Sequence, residues 1–400
     1  MPEAVIVATA RTPIGRAMKG SLVDCRPDDL SALIIDAVLA KVPALDKSLV
    51  EDVIWGCGQP AGEAGVNIGR VSAILAGLDA PGVTVNRYCS SSLQTIRMAA
   101  HAIRAGEGDV FIAGGVETVS RFGNGMADDG PANAKFNDAR GRTKERSEGG
   151  KPPWTPPAGL PDVYIAMGQT AENVREAENV GRMEMDEFAA LSQDRAVAAQ
   201  ENGFFEREIT PVTTPDGTVV SKDDGPRAGT TVEKLNALKP VFRPDGEVTA
   251  GNACPLNDGA AAVIVMSDAK ANELGITPLA RIVASGVSSI NPEIMGLGPI
   301  EASRQALKRA NLTIDDIDLA EINEAFAAQV IPSARHLGIS WDKLNVNGGA
   351  IALGHPFGMT GARIMTTLLN GLEDAGKRYG LETMCVGGGQ GMAMIVERLT

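Results

Sequence analysis

The stretch VTVNRYCSSSLQTIRMAAHAIRAG at residues 83–106 has a counterpart in LNVNGGAIALGHPFGMTGAR at residues 344–363. Each begins with a short β-branched run ending in VN, passes through a loop of small residues and leads into a helical pattern. The flanking elements repeat in the same order, with AVIVATARTPIG matched by ARIVASGVSSIN and DVFIAGGVE matched by TMCVGGGQG. We therefore predict two similar α/β halves, residues 1–120 and 277–400, built from layered strands covered by helices.

The segment between the halves has a different composition. Residues 121–162 are rich in Gly, Pro and charge, and two helical patterns follow before the β-like EITPVTT. We predict a largely surface-lying loop domain at residues 121–252, in which the basic run KFNDARGRTKER forms a solvated loop or, as an alternative, faces a phosphate. The apolar run after GNACPLNDG predicts a buried strand, so residues 253–276 are assigned to the first half.

Composition excludes several classes of protein. The 400 residues carry 37 Lys+Arg against 50 Asp+Glu, a formal charge of −13, which argues against a nucleic-acid partner. The chain shows neither a secretory signal nor an apolar run of membrane-spanning length. Five dispersed cysteines without a CxxC pair predict a reduced, cytoplasmic compartment and no metal site.

Cys89 lies where the first VN strand gives way to a helix. An apolar stripe begins at Leu93, and Ser91 with Gln94 resembles a capping box, so the helix is predicted to start near the thiol. The positive end of a helix favours a thiolate, and free N–H groups there can hold an oxyanion. A buried filler cysteine explains the same pattern equally well, and both interpretations stay open at this point.

The three histidines differ in their surroundings. His101 lies on a polar stripe with two arginines, which predicts a solvated face, and His336 precedes the helix-ending Gly338. His355 lies in the glycine-rich loop that corresponds to the Cys89 turn. Duplication would bring these two turns together, which favours His355 as a base near Cys89 over a merely structural loop histidine.

Two further positions are candidates for chemistry. Cys385 begins CVGGGQGMA, whose spacing is not GxGxxG and which continues as a strand, so a nucleotide-binding loop is excluded. Asn323 in EINEAF follows a predicted strand, where it can orient a water or a carbonyl, or simply satisfy its own turn.

The blocks NRYCSSSLQ, NEAF, GGAIALGHPFGMTGAR and CVGGGQGMA resemble the signature blocks of thiolases, in the same order and across essentially the whole chain. The resemblance implies an α/β thiolase fold, a duplicated five-layered αβαβα core with an inserted loop domain that binds CoA. It also implies a homodimer or homotetramer and acyl-CoA thioesters as substrates, with no metal or redox cofactor.

By this resemblance, Cys89 is the acylated nucleophile, His355 its base and Cys385 the acid/base for the α-carbon or for the CoA thiol. Asn323, through a water, and His355 form one oxyanion hole, and the amides of Cys89 and Gly387 form another. Residues matching the family's CoA site are Met167, Arg227, Ala250, Cys254, Ala325 and Phe326. Cys254 replaces the usual serine of GNAS, which weakens the expected hydrogen bond to pantetheine.

The resemblance also bears on the substrate. Short-chain synthetic thiolases usually carry a histidine before the methionine that is Met167 here, whereas this chain has Ala166. A roomier, apolar acyl pocket therefore predicts a degradative 3-ketoacyl-CoA thiolase of fatty-acid β-oxidation, with a short-chain biosynthetic enzyme as the alternative. A decarboxylating ketoacyl synthase and a catalytically silent CoA or lipid carrier share the fold, but the Cys385 block and the intact reactive positions argue against them.

Overall fold

The computed structural model describes residues 2–400. The β-branched runs form twelve strands within this range, which are β1 Ala4–Arg11, β2 Gly15–Arg16, β3 Asp52–Gly56, β4 Gly82–Val85, β5 Val110–Thr118, β6 Val212–Thr213, β7 Val219–Val220, β8 Asn257–Ser267, β9 Ala280–Ser289, β10 Leu319–Ile322, β11 Tyr379–Val386 and β12 Gln390–Arg398.

Helices alternate with these strands. Between residues 2 and 400 they are α1 Pro27–Ala40, α2 Ile68–Leu75, α3 Ser91–Ala105, α4 Asn137–Ser147, α5 Met167–Glu178, α6 Arg182–Glu201, α7 Val232–Asn236, α8 Asp268–Glu273, α9 Gly298–Ala310, α10 Ala327–Leu337, α11 Ala350–Leu353 and α12 Thr360–Asp374. Their ends follow local chemistry: proline stands in the first turn of α1 and α9, and left-handed Gly106 and Gly338 end α3 and α10.

The strand order shows the duplication. In the first half the order is β4-β3-β5-β8-β1, and in the second it is β10-β11-β12-β9. In both halves the strand pairs at the outer end of the sheet are parallel (β4 with β3 and β3 with β5, β10 with β11), and the pairs nearer the junction of the halves are antiparallel. The halves join where β1 pairs with β9 over Val5 and Ile6, so one mixed sheet runs through both.

Three buried clusters divide the molecule into five layers of alternating helix and sheet. One lies between α1, α2 and the first half's sheet, one between α9, α10 and the second half's sheet, and the third holds α3 and α12 between both sheets. The two central helices touch closely, since a Cβ on Gly361 would lie 2.3 Å from the backbone nitrogen of Leu93. The predicted five-layered αβαβα fold is confirmed.

The structure corrects two predictions for residues 121–252. The basic run is not a loop, because Asn137–Ser147 forms the exposed helix α4. The segment is also less superficial than predicted, since α5 and α6 bury residues such as Ala171, Met185 and Phe188 in the core cluster of the second half. The strand after this segment, β8, is buried throughout and pairs with β5 and β1, as the sequence indicated.

No helix within residues 2–400 combines the length and the apolar character needed to cross a membrane.

Candidate active site

Cys89 lies in a single 3₁₀ turn, Tyr88–Ser90, that leads directly into α3. The predicted helix start beside the thiol is therefore confirmed, but the capping box is wrong. The Ser91 hydroxyl donates to the carbonyl of Tyr88 at 2.7 Å and accepts from the backbone N–H of Arg87 at 3.0 Å, so it serves the turn. Gln94 instead accepts from Nε of Arg87 at 3.1 Å.

The thiol of Cys89 is buried, with 7 % of the residue exposed. Burial raises the pKa of the Cys89 thiol to about 12, while hydrogen bonds from the backbone N–H groups of Gly387 and of Cys89 itself act in the opposite direction. The helix terminus favours a thiolate, whereas burial, the largest influence on this pKa, favours the neutral thiol. A resting neutral thiol requires a base at the moment it attacks.

His355 is held in one tautomer. The hydroxyl of Thr360 donates its single proton to the carbonyl of Pro356 at 2.7 Å, so its oxygen accepts from Nδ1–H of His355, also at 2.7 Å. Nε2 therefore carries the lone pair and faces the side-chain amide of Asn323 at 3.3 Å. Burial, followed by the charge of Arg363, lowers the pKa of His355 to about 3, so the imidazole is neutral.

The two duplicated turns meet as predicted. The hydroxyl of Ser92 accepts from the backbone N–H of Ala362, which joins the first turns of α3 and α12 at 2.9 Å. Phe357, which contacts the His355 ring edge-on with centroids 5.2 Å apart, lines the same cavity as Cys89. Neither ring nitrogen of His355 bonds the Cys89 thiol, because Thr360 and Asn323 occupy them.

Cys385 is the penultimate residue of the buried strand β11 and is itself fully buried. Burial raises the pKa of its thiol well above the ordinary value, and the nearby Cys89 and Cys254 raise it further. The same two effects, burial and then the proximity of Cys89, raise the pKa of Cys254. The fold therefore gathers three of the five cysteines, one from each of three distant sequence blocks, around one site.

The glycines after Cys385 form the turn between β11 and β12. Gly388 and Gly389 have φ of 79° and 82°, a conformation that side chains disfavour, and Gly387 presents its N–H to Cys89. Arg87 fixes this turn to the first half by donating to the side chain of Gln390 at 2.6 Å. The GGGQG run is thus a hairpin turn, in agreement with the exclusion of a nucleotide loop.

A cavity of about 770 Å³ opens beside Cys89. Its lining combines Tyr88, Gly387 and Phe357 from the two turns with side chains of the central segment. The lining residues from that segment are Ala127, Asp128, Gly130, Pro131, Ala132, Arg140, Val163, Tyr164, Ile165, Ala166 and Met167. The segment between the halves therefore forms one wall of the cavity that Cys89 lines.

The six residues matched to a CoA site fall into two groups. Met167 lines the cavity, and together with Cys254 it packs against the cluster that contains Ala325 and Phe326. The backbone N–H of Cys254 donates to the carbonyl of Ala325 at 3.0 Å, which places these residues side by side. The other two, Arg227 and Ala250, are exposed on the central segment and do not line the cavity.

Sequence reasoning missed Glu117, at the end of β5. This fully buried carboxylate accepts from the backbone N–H groups of Gly58 and Gly358, at 2.8 and 2.9 Å, and from that of Gln59 at 3.1 Å. Burial raises the pKa of Glu117 to about 7, although these N–H groups act against it. The sequence signal that could have identified Glu117 is a single carboxylate at the end of the apolar run that begins VFIAGG.

Two partners of His355 were also missed. Thr360 sets its tautomer, and the side-chain oxygen of Asn257 accepts from its backbone N–H at 3.0 Å. Thr360 stands one turn along the chain in HPFGMTG, where a hydroxyl was visible, but Asn257 comes from β8 and only the fold places it there.

The chain matches the thiolase N-terminal domain family over residues 4–269 and the thiolase C-terminal domain family over residues 276–398. It is 47% identical over 410 residues to a β-ketoadipyl-CoA thiolase of Acinetobacter baylyi, covering 100% of both chains. It is 44% identical over 408 residues to a 3-ketoacyl-CoA thiolase of Vibrio vulnificus, again covering 100% of both. The crystal structure of the Bacillus anthracis acetyl-CoA acetyltransferase superposes with a TM-score of 0.86 at 39% identity, covering 100% of this chain and 99% of that one.

Fold and similarity together define an acyltransferase that acts on CoA thioesters. More narrowly, the chain belongs to the thiolase family and catalyses the thiolase reaction, the CoA-dependent cleavage of a 3-ketoacyl-CoA or the reverse condensation.

Proposed function

We propose that this thiolase cleaves 3-ketoacyl-CoA esters longer than acetoacetyl-CoA, in the degradative direction of β-oxidation. The observation that carries the proposal is the cavity beside Cys89, where Val163, Ile165, Ala166 and Met167 form an apolar wall. Ala166 neither fills this space nor donates a hydrogen bond, so an alkyl chain is buried at a gain of about 0.8 kcal/mol per methylene. The relative named for β-ketoadipyl-CoA, whose acyl chain is longer than that of acetoacetyl-CoA, and the relative named for 3-ketoacyl-CoA in general support the assignment.

In the proposed first step, Cys89 attacks the 3-keto carbon while its proton passes to Nε2 of His355. Transfer ahead of attack is unfavourable because burial raises the thiol pKa to about 12 and lowers the imidazole pKa to about 3. Proton transfer is therefore concerted with formation of the carbon–sulfur bond. The N–H groups of Cys89 and Gly387 receive the negative charge that develops on the carbonyl oxygen.

Collapse of this tetrahedral adduct breaks the bond between the α- and β-carbons. The α-carbon of the departing acetyl-CoA enolate takes a proton from the Cys385 thiol, while Nε2–H of His355 stabilises the enolate oxygen with a hydrogen bond. The side-chain oxygen of Asn323 is buried without a protein partner, which suits the bound water expected in this oxyanion hole. The Cys385 thiolate then deprotonates CoA, whose sulfur attacks the acyl-enzyme and takes the shortened acyl group, and the released Cys89 thiolate recovers its proton from Nε2 of His355. The steps are thiol addition, carbon–carbon bond cleavage, thioester exchange and proton transfer, none of which consumes an external oxidant or reductant, so the proposed mechanism requires no metal or redox cofactor.

The substrate proposal is tested by steady-state thiolysis across 3-ketoacyl-CoA chain lengths. We expect kcat/KM for 3-ketohexanoyl- and 3-ketooctanoyl-CoA to equal or exceed that for acetoacetyl-CoA, within roughly ten-fold, because one methylene in an apolar pocket changes the ratio only modestly. Values far below that for acetoacetyl-CoA would assign the chain to the short-chain biosynthetic class instead.

The proposal extends to assembly and compartment. At the sheet edge, β4 pairs only with β3 within residues 2–400, and Val66, Ile74 and Leu75 beside it are 92%, 57% and 51% exposed. Val66 also holds a φ of 55°, which is unfavourable for a β-branched residue. These features support a homodimer, or a homotetramer built from two such dimers. The five unpaired cysteines support a reduced, cytoplasmic setting.

A further inference from the structure

The cavity beside Cys89 contains one cationic side chain, Arg140 of α4. The other arginines of this helix are engaged elsewhere: Arg142 donates to the carbonyl of Leu160 at 2.6 Å, and Arg146 pairs with Glu176 at 2.7 Å. Arg140 has neither a hydrogen bond from its side chain nor an ion pair with any of residues 2–400. Its guanidinium is therefore available to a ligand in the cavity.

The one carboxylate in the same lining does not neutralise Arg140. Asp128 accepts from the side-chain amide of Gln59 at 2.6 Å and from the hydroxyl of Tyr88 at 3.3 Å, and it does not come within ion-pair distance of Arg140. Asp128 is thus held by neutral donors from the nucleophile's side of the cavity. An incoming anion would be repelled there and attracted to the free guanidinium of Arg140.

The cavity therefore combines an apolar wall with a free cation. The wall suits the methylenes of an acyl chain joined to Cys89, and a guanidinium suits a carboxylate, which it binds through two parallel hydrogen bonds. We propose that Arg140 binds a carboxylate at the far end of the acyl chain, so that the preferred substrates are 3-ketoacyl-CoA esters of dicarboxylic acids. This inference rests on the proposed function and narrows its substrate class.

The test compares two six-carbon 3-ketoacyl-CoA esters that differ only in whether the chain ends in a methyl or a carboxylate. For the unmodified enzyme we expect kcat/KM to be at least about ten-fold higher for the carboxylate ester, as one charge-assisted contact provides. Arg140→Met should remove this preference by lowering kcat/KM for the carboxylate ester about ten-fold, while kcat/KM for the methyl ester stays within about three-fold of its original value. Arg140→Lys should retain part of the preference, because the charge remains but the paired geometry is lost.

Lys144→Met is the matched control, since it removes one positive charge from the exposed face of the same helix outside the cavity. This variant should leave kcat/KM for both esters unchanged. Equal kcat/KM for the two esters in the unmodified enzyme would overturn the inference. An equal loss of kcat/KM for both esters in Arg140→Met would also overturn the inference, and would assign Arg140 to the phosphates of CoA. If the unmodified enzyme cleaves neither ester but does cleave acetoacetyl-CoA, the proposed function itself is wrong.

Discussion

At the scale of single residues, the thiols of Cys89 and Cys385 have different surroundings. Cys89 lies on a turn that opens to the cavity and faces two backbone N–H groups, whereas Cys385 is the penultimate residue of a strand and is fully buried beside it. The first position suits a nucleophile that must reach a carbonyl, and the second suits a proton carrier shielded from water. We therefore expect different results from replacing Cys89 and from replacing Cys385 by alanine.

We expect Cys89→Ala to abolish turnover in both directions and to prevent covalent labelling by acetyl-CoA, because no second thiol stands at a helix start beside the cavity. Cys385→Ala should still be labelled but should lose exchange of the acetyl-CoA α-proton with deuterated solvent. Intact-mass spectrometry and proton NMR measure the two outcomes, and Cys25→Ala, a buried cysteine outside the site, is the control. Labelling of Cys89→Ala, or undiminished exchange in Cys385→Ala, would contradict the assignment.

At the scale of elements, Glu117 at the end of β5 joins the loop after β3 to the loop before α12. It accepts N–H groups from Gly58 and Gln59 in one half and Gly358 in the other. Because Phe357 beside Gly358 lines the cavity, this carboxylate fixes part of the site's shape without touching the substrate. Glu117 is thus a positioning residue, and its burial makes its contribution depend on pH.

Burial raises the pKa of Glu117 from an ordinary 4.5 to about 7 in the folded chain. Between these values the folded protein retains a proton that the unfolded chain releases, so stability from this group is greatest below pH 4.5 and is lost as pH rises to 7. The loss amounts to about 3 kcal/mol of unfolding free energy. Urea denaturation at acidic and neutral pH should show this decline flattened in Glu117→Gln and unchanged in Glu301→Gln, an exposed carboxylate on α9. The same pH slope in Glu117→Gln as in the unmodified protein would refute the assignment.

At the scale of the whole molecule, the β1–β9 pairing and the packing of α3 on α12 are two of the contacts that join the halves. The second contact builds the site, because both helices begin at its reactive turns. The outer edge at β4 is left with exposed apolar side chains, and the proposed dimer would cover them.

We expect light scattering to give the mass of a dimer or tetramer for the unmodified protein. Leu75→Glu should shift it toward the monomer, because a charge buried in an apolar interface is costly. Met183→Glu, on an exposed apolar residue of α6, should leave the mass unchanged. A monomeric unmodified protein would exclude the proposed assembly.

Much of this architecture was predictable from local patterns. The repeat around the two VN stretches indicated the duplication, although the second stretch forms only a single bridge at Leu344 and no strand. The apolar stripe after Cys89 located the start of α3. The matched turns also indicated that Cys89 and His355 lie near each other. These features depend on periodicity and on order along the chain, which the sequence contains directly.

Other features depended on which distant groups the fold brings together. The helix start predicted a thiolate at Cys89, but burial, which only the layered packing imposes, raises its pKa instead. Ser91 looked like a cap, yet the turn geometry directs its hydroxyl to Tyr88. The sequence predicted a solvated loop for the run that contains Arg140. Arg140 lines the cavity only because the central segment folds over the Cys89 turn. The sequence alone thus determined the elements and the reactive residue types. Tertiary packing decided the protonation of the reactive residues and the shape of the acyl site, because desolvation and long-range contacts have no local sequence signal.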